Sequence, residues 1–386
     1  MEQDEVREEL PLAVRMRSAY NRTGFGMLAE TGIASVTQNA MIVLAFIIIC
    51  ARLLPAVMPV VLRYGTLESF KHIDEVQQIL LSSGAIGWLL TAMVLGTGIG
   101  MGIGLLLMKK IARSVYPIEK KTLSLAGFLA LVPLAFLLWG IGVLLGNYAS
   151  FFHTVTDSTE QLIERAGKNA LPYYIYAVIG APVMEELLFR KSLLDRLHPY
   201  GQWTAAAVSA LLFGLAHGNS GQFFLAFLIG LLFAAVYMRT GRVYYTMILH
   251  ALINLAATLP ELLALYGADI ETAMLIAIHV LFAAGIVIAV IRRREIRDLL
   301  TRTQDVDARV DTPRVSFCTP GIKLLRIYYL VMLIATDVLR ILAAILSERS
   351  ALPLIGLGST VLAVVTIRLL PKLFKKKTEV QLPAEA

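Results

Sequence analysis

Three short polar signatures lie within one apolar stretch, Ala181 to Asn254. They are Glu185-Glu186-Leu187-Leu188-Phe189-Arg190, then Phe213-Gly214-Leu215-Ala216-His217, then His250-Ala251-Leu252-Ile253-Asn254. Each sits in or beside a run hydrophobic enough to cross a bilayer, where a charged side chain at mid-depth costs about 2.5–3.5 kcal/mol. Two adjacent glutamates there need a compensating role. Residues four apart share a helix face, and an acid on the N-terminal side of a base is the favourable order. Glu186 and Arg190 are so placed, which predicts an internal pair that braces the helix. Glu185 is about 100° away around the same helix and faces something else. Pro182 lacks the N–H that would bond the Val178 carbonyl, so a kink is expected near the acids.

His217 and His250 belong to different helices, and Asn254 shares the face of His250. If Glu185, the two histidines and the amide converge inside a bundle, they make a hydrolytic site. A carboxylate and an imidazole would take a proton from water, while the remaining imidazole and amide donate hydrogen bonds to the oxyanion of a tetrahedral intermediate. Glu185, His217 and His250 could instead ligate a divalent metal such as zinc, since two histidines and a carboxylate are a catalytic zinc set. The residues by themselves leave the cofactor open between none and a metal. Against both stands the plain structural reading, in which membrane histidines and asparagines bond between helices.

The elements that must position these residues follow from composition. The chain of 386 residues is 57% hydrophobic and 16% charged, a polytopic membrane protein rather than a set of soluble domains. Spans of ~17–25 apolar residues fall at about 40–62, 85–108, 123–146, 170–197, 202–217, 222–238, 243–260, 272–291, 323–346 and 351–370. The fold expected is all-α, a membrane bundle of about ten transmembrane helices, with an eight-helix core and a C-terminal helix pair as an appendage. Lys109, Lys110, Arg113, Lys120 and Lys121, then Arg239 and Arg242, then Arg292 to Arg294 fall on one side of this topology, the cytosolic side by the positive-inside rule, with both termini there. The net charge of +7 is therefore explained without nucleic acid. Composition makes the bilayer the expected partner; a membrane-associated peptide or protein substrate and a bacterial cell membrane as the location are what the resemblance of the three signatures to a known family implies.

The expected organisation is a polar cytosolic segment over 1–39, three helices over 40–168, a catalytic core of helices four to eight over 169–291, and a cytosolic linker over 292–322. A hairpin over 323–371 and a basic then polar tail over 372–386 complete it. Gly96, Gly98, Gly100, Gly102 and Gly104 alternate in the second helix. Gly96, Gly100 and Gly104 repeat the GxxxG spacing of close helix packing, and no strand precedes them as a phosphate-binding loop requires. Asp337 and Arg340 are expected to pair locally within helix nine. Straight helices place His217 near the outer end of helix five and His250 nearer the cytosol, so convergence requires a tilted or re-entrant fifth helix.

The ordered set EExxxR, FxxxH and HxxxN on successive membrane helices resembles the CPBP family of CAAX prenyl proteases and bacteriocin-processing or immunity proteins, also called Abi. The resemblance covers Pro182 to Asn254. It implies an intramembrane endopeptidase in which Glu185 and His217 activate water, His250 and Asn254 stabilise the oxyanion, and Glu186 with Arg190 supports them, Phe213 opening the FxxxH motif. Members are described both as metalloproteases and as metal-independent glutamate proteases. Two alternatives remain. Gly218-Asn219-Ser220-Gly221 is similar to the GxSG of rhomboid serine proteases, with Ser220 as nucleophile, although it precedes HxxxN in reversed order and leaves the glutamates without a task. A non-enzymatic transporter, scaffold or immunity protein would use the buried acids and histidines for proton or ligand binding.

Overall fold

A computed structural model describes residues 11–68, 73–149, 158–294 and 312–346. Regular structure among them is helical throughout: α1 Leu12–Glu68, α2 Ile73–Ser82, α3 Ala85–Ile111, α4 Leu125–Ala149, α5 over 158–200, α6 Gln202–Ala216, α7 Ser220–Thr240, α8 Val243–Ala264, α9 Glu271–Ile291, α10 Thr312–Cys318 and α11 Pro320–Leu346. Six of these (α1, α3, α4, α7, α8 and α9) are long and apolar enough to cross a membrane, and the protein is an integral membrane protein built as a polytopic helical bundle. The described residues do not establish the expected count of ten. The span at 351–370 and the tail 372–386 lie outside them.

α1 differs from expectation, because residues 12–39 are part of the first helix rather than a separate polar segment. Met16, Tyr20, Thr23, Met27 and Glu30 are all at most 2% exposed. Their spacing alternates four and three, the seam of a packed helix. Charged residues on the outward faces hide this stripe from a composition reading. Between α1 and α3 the glycine series acts as its spacing predicts. A Cβ on Gly96, Gly100 or Gly104 would stand 2.7 Å from Gln38 Cα, 2.6 Å from Ala34 Cα and 2.6 Å from Glu30 Cγ respectively. The alternate glycines turn the other way: Gly98 faces Tyr176 and Gly102 faces Met184 of α5. α3 is thus a thin spacer between α1 and the helix that carries the acids.

The expectation of a C-terminal appendage is corrected by α11. Ile322, Leu325 and Tyr329 are buried in the main hydrophobic core with Met16, Tyr20 and Leu28. The helices meet where glycine permits it, with Gly24 against the Gly321 backbone. The Gly321 N–H donates to Asn21 Oδ1 at 2.8 Å, and the Thr31 and Tyr329 hydroxyls share a hydrogen bond of 2.7 Å. The expected linker 292–322 therefore ends in ordered helix, α10 and the start of α11. The Arg340 side chain lies outside the described residues, and Asp337 Oδ1 accepts from the Ser220 backbone N–H at the start of α7, 3.4 Å away.

Candidate active site

α5 is wound unevenly, and its irregularities bracket the two acids. A π-helical turn over Tyr176–Gly180 leads into a short α-helical piece, Ala181–Glu186, followed by a second π-helical turn, Leu187–Ser192. Such π-bulges leave the regular ladder and shift side chains around the axis. Pro182 explains the first. The Ala181 N–H reaches back to the Tyr176 carbonyl, and the next residue has no N–H to offer the Ala177 carbonyl. That carbonyl instead accepts from Asn254 Nδ2 of α8 at 2.8 Å. In the second π turn the Phe189 carbonyl accepts from the Ser209 hydroxyl of α6, also at 2.8 Å. Each irregular turn is thus tied by a side chain from a neighbouring helix, which holds the glutamates in place. The carbonyl orphaned by Pro182 is that of Ala177, not of Val178 as straight-helix reasoning expects.

Glu186 and Arg190 are fully buried, with Arg190 Nε 3.1 Å from Glu186 Oε2. The contact is an ion pair off the hydrogen-bond axis. The other oxygen, Glu186 Oε1, faces His250 Nδ1 at 3.1 Å. Glu186 is therefore shared between the arginine on its own helix and the histidine from α8. The Arg190 guanidinium lies 4.3 Å from the centre of the Phe213 ring and 5.3 Å from that of Phe233. The same two rings flank His250, at 5.7 and 5.6 Å between centroids. Stacked aromatic faces stabilise a desolvated cation, and here they also confine the imidazole.

Glu185 stands apart from this closed cluster. Its side chain is 24% exposed, and Oε2 lies 3.8 Å from His250 Nε2, beyond hydrogen-bond length. Oε2 has no hydrogen-bond partner among the described residues. His217 ends α6, where helix carbonyls lack amide partners. Its Nδ1 bonds the Phe213 carbonyl at 2.8 Å, which makes Nδ1 the protonated nitrogen and leaves Nε2 as the acceptor in the neutral ring. The His217 ring packs edge-on against Phe213 at 5.0 Å, so Phe213 touches both histidines and Arg190. Phe213 thus links His217 to His250 from a helix of 15 residues, about 22 Å long and shorter than a full crossing.

Glu185, Glu186, Arg190, Phe213 and His250 thus meet in one cluster, with His217 on its edge through Phe213 and Asn254 bonded to the helix that carries the acids. Among the described residues no three His, Cys, Asp or Glu side chains are grouped so as to hold a metal ion. Glu185, His217 and His250 therefore do not present a ready zinc set, and His250 Nδ1 is already engaged by Glu186. Gly218-Asn219-Ser220-Gly221 is a helix-to-helix turn. Gly218 takes a left-handed φ of 66°, Asn219 Oδ1 caps α7 by accepting from the Gln222 N–H at 2.8 Å, and the buried Ser220 Oγ has no hydrogen-bond partner among the described residues. Nothing there activates a nucleophile in the way the rhomboid-like alternative requires. Sequence reasoning missed Phe233, Ser209 and the Ala177 carbonyl. A phenylalanine in an apolar helix carries no signal, whereas Pro182 did carry one for Ala177.

Residues 167–256 match the family described as Type II CAAX prenyl endopeptidase Rce1-like. This segment is similar to the CPBP family of membrane CAAX proteases. Similar curated proteins are the putative membrane peptidase YdiL of Bacillus subtilis, 24% identical over 108 residues, covering 28% of this chain and 44% of that protein, and the membrane-embedded CAAX protease MroQ of Staphylococcus aureus, 32% identical over 107 residues, covering 26% of this chain and 43% of that protein. The chain spans less than half the length of these relatives. No solved structure gives a significant match to it. The matched segment holds every residue of the cluster and leaves α1 to α4 and α9 to α11 outside it.

Proposed function

We propose that the protein is an intramembrane endopeptidase of the CAAX protease type, which hydrolyses a peptide bond in a membrane-associated substrate with water activated by Glu185 and His217. The observation that carries this reading is the contrast between the two adjacent acids. Glu186 is closed off by Arg190 and His250, whereas the Glu185 side chain is 24% exposed and its inner oxygen, Oε2, has no hydrogen-bond partner among the described residues. A carboxylate held so is suited to take a proton from an attacking water, and the acceptor Nε2 of His217 is assigned as its partner in that step.

His250 and Asn254 are assigned to the oxyanion. With Nδ1 directed at Glu186, His250 donates through Nε2 when the ring is doubly protonated, and the negative charges of Glu185 and Glu186 balance that charge together with Arg190. Asn254 has two amide hydrogens, one bound to the Ala177 carbonyl and the second available for a developing oxyanion. The relatives named a membrane peptidase and a CAAX protease support peptide hydrolysis at a membrane, and no step in the proposed chemistry is routed through a metal. The test replaces the chromosomal protein by the Glu185→Gln variant and compares membrane peptides by mass spectrometry. Uncleaved membrane polypeptides are expected to accumulate with the variant folded and inserted. An unchanged peptide profile, with the wild-type protein expressed at the same level, would refute the assignment.

A further inference from the structure

One end of the bundle carries a slot that the proposed chemistry does not use. The C-terminal half of α4 packs closely on α7, where a Cβ on Gly142 would stand 2.4 Å from Leu225 Cα and one on Gly146 2.1 Å from the Gly221 carbonyl oxygen. α9 approaches nearer the start of α4, where a Cβ on Gly285 would stand 2.3 Å from the Pro133 carbonyl oxygen. Before Pro133 the close glycine contacts end, since a Cβ on Gly127 would meet only Ser124 of the same segment. There α4, α7 and α9 part around a cavity of ≈ 560 Å³, walled by leucines that include Leu131, Leu134, Leu231 and Leu232, with Arg239 and Arg292 in the lining. This volume lies in the ~300–1,000 Å³ range of sites that hold small ligands. Arg239 is in the last turn of α7 and Arg292 directly follows α9, so both cations stand at one end of an otherwise apolar slot. Lys120 and Lys121 precede α4 at that same end.

We propose that this slot binds an anionic phospholipid, its phosphate held by Arg239 and Arg292 and one acyl chain laid against the leucines. Charge and polarity match along the length of the slot, and a basic pocket between membrane helices selects anionic headgroups. A peptide would need backbone hydrogen-bond partners that leucine walls do not supply. The site is separate from the candidate active site but shares α7 with it. Leu231, Leu232 and Val236 face the slot, while Gly230 and Phe233 contact Arg190 from the same helix.

The test uses the full chain in detergent, offered equal amounts of phosphatidylglycerol and phosphatidylcholine and read by native mass spectrometry. Phosphatidylglycerol is expected to be retained with a preference of about 30-fold, the effect of two arginines at a headgroup. Arg239→Gln combined with Arg292→Gln should bring the ratio close to one without changing the melting temperature in detergent. Leu134→Trp, which fills the slot, should reduce retention of both lipids. Equal retention of the two lipids by the wild type, or full preference in the arginine variant, would overturn the proposal. Complete displacement of phosphatidylglycerol by inorganic phosphate would overturn the acyl-chain part, and an acidic peptide that binds where phosphatidylglycerol does not would make this a peptide groove.

Discussion

Arg190→Ala tests the buried cluster most directly. The substitution leaves Glu186, fully buried, with its charge opposed only by His250. It also removes the guanidinium between Phe213 and Phe233. Breaking one member of a buried pair costs about 3–5 kcal/mol, because the remaining charge is left without compensation, whereas replacing both members by apolar groups of similar volume is often neutral. The single variant should therefore lose about 3–5 kcal/mol of stability, and Glu186→Leu combined with Arg190→Met should recover most of it. Activity should not follow stability. The double variant still lacks the carboxylate that holds His250 Nδ1 at 3.1 Å, so turnover stays low in a stable protein. The assay pairs unfolding in mixed micelles, followed by tryptophan fluorescence, with cleavage of a membrane-associated reporter peptide. If Arg190→Ala unfolds within about 0.5 kcal/mol of the wild type, the range of an inconsequential surface change, or if the double variant is no more stable than the single, the account of Glu186 as a carboxylate shared between Arg190 and His250 is wrong.

Asn254→Ala should cost about 1–3 kcal/mol by orphaning the Ala177 carbonyl. Pro182→Ala restores an N–H next to that carbonyl, so the Asn254→Ala penalty measured in the Pro182→Ala background should be smaller; equal penalties in a double-mutant cycle would separate Asn254 from the π turn. Gly100→Ala places a methyl group 2.6 Å from Ala34 Cα and should destabilise by about 1–3 kcal/mol through overpacking between α1 and α3, a shift visible in the melting temperature. Ser220→Ala should leave reporter cleavage within twofold of the wild type, since Ser220 is the first residue of α7 and its hydroxyl has no hydrogen-bond partner among the described residues; abolished cleavage would transfer the nucleophile to that serine.

Hydrophobic run lengths, the glycine interval and the order of three polar signatures are local properties, and the sequence alone determined them. Side chains four residues apart share a face in any helix, so the Glu186–Arg190 pair and the close approach along Gly96, Gly100 and Gly104 were legible before any coordinates. The family resemblance was legible for the same reason, being carried by residues close together in the chain. The buried heptad stripe of α1 was also written in the sequence but masked by charges on its other faces. Only the tertiary structure decided which partner each polar group found. Glu186 binds a histidine 64 residues away, Asn254 repairs the backbone gap left by Pro182, and Phe213 packs against both His217 and His250. Such pairings depend on crossing angles and on where a helix departs from 3.6 residues per turn. Those are settled by packing between elements, which no single stretch of residues encodes.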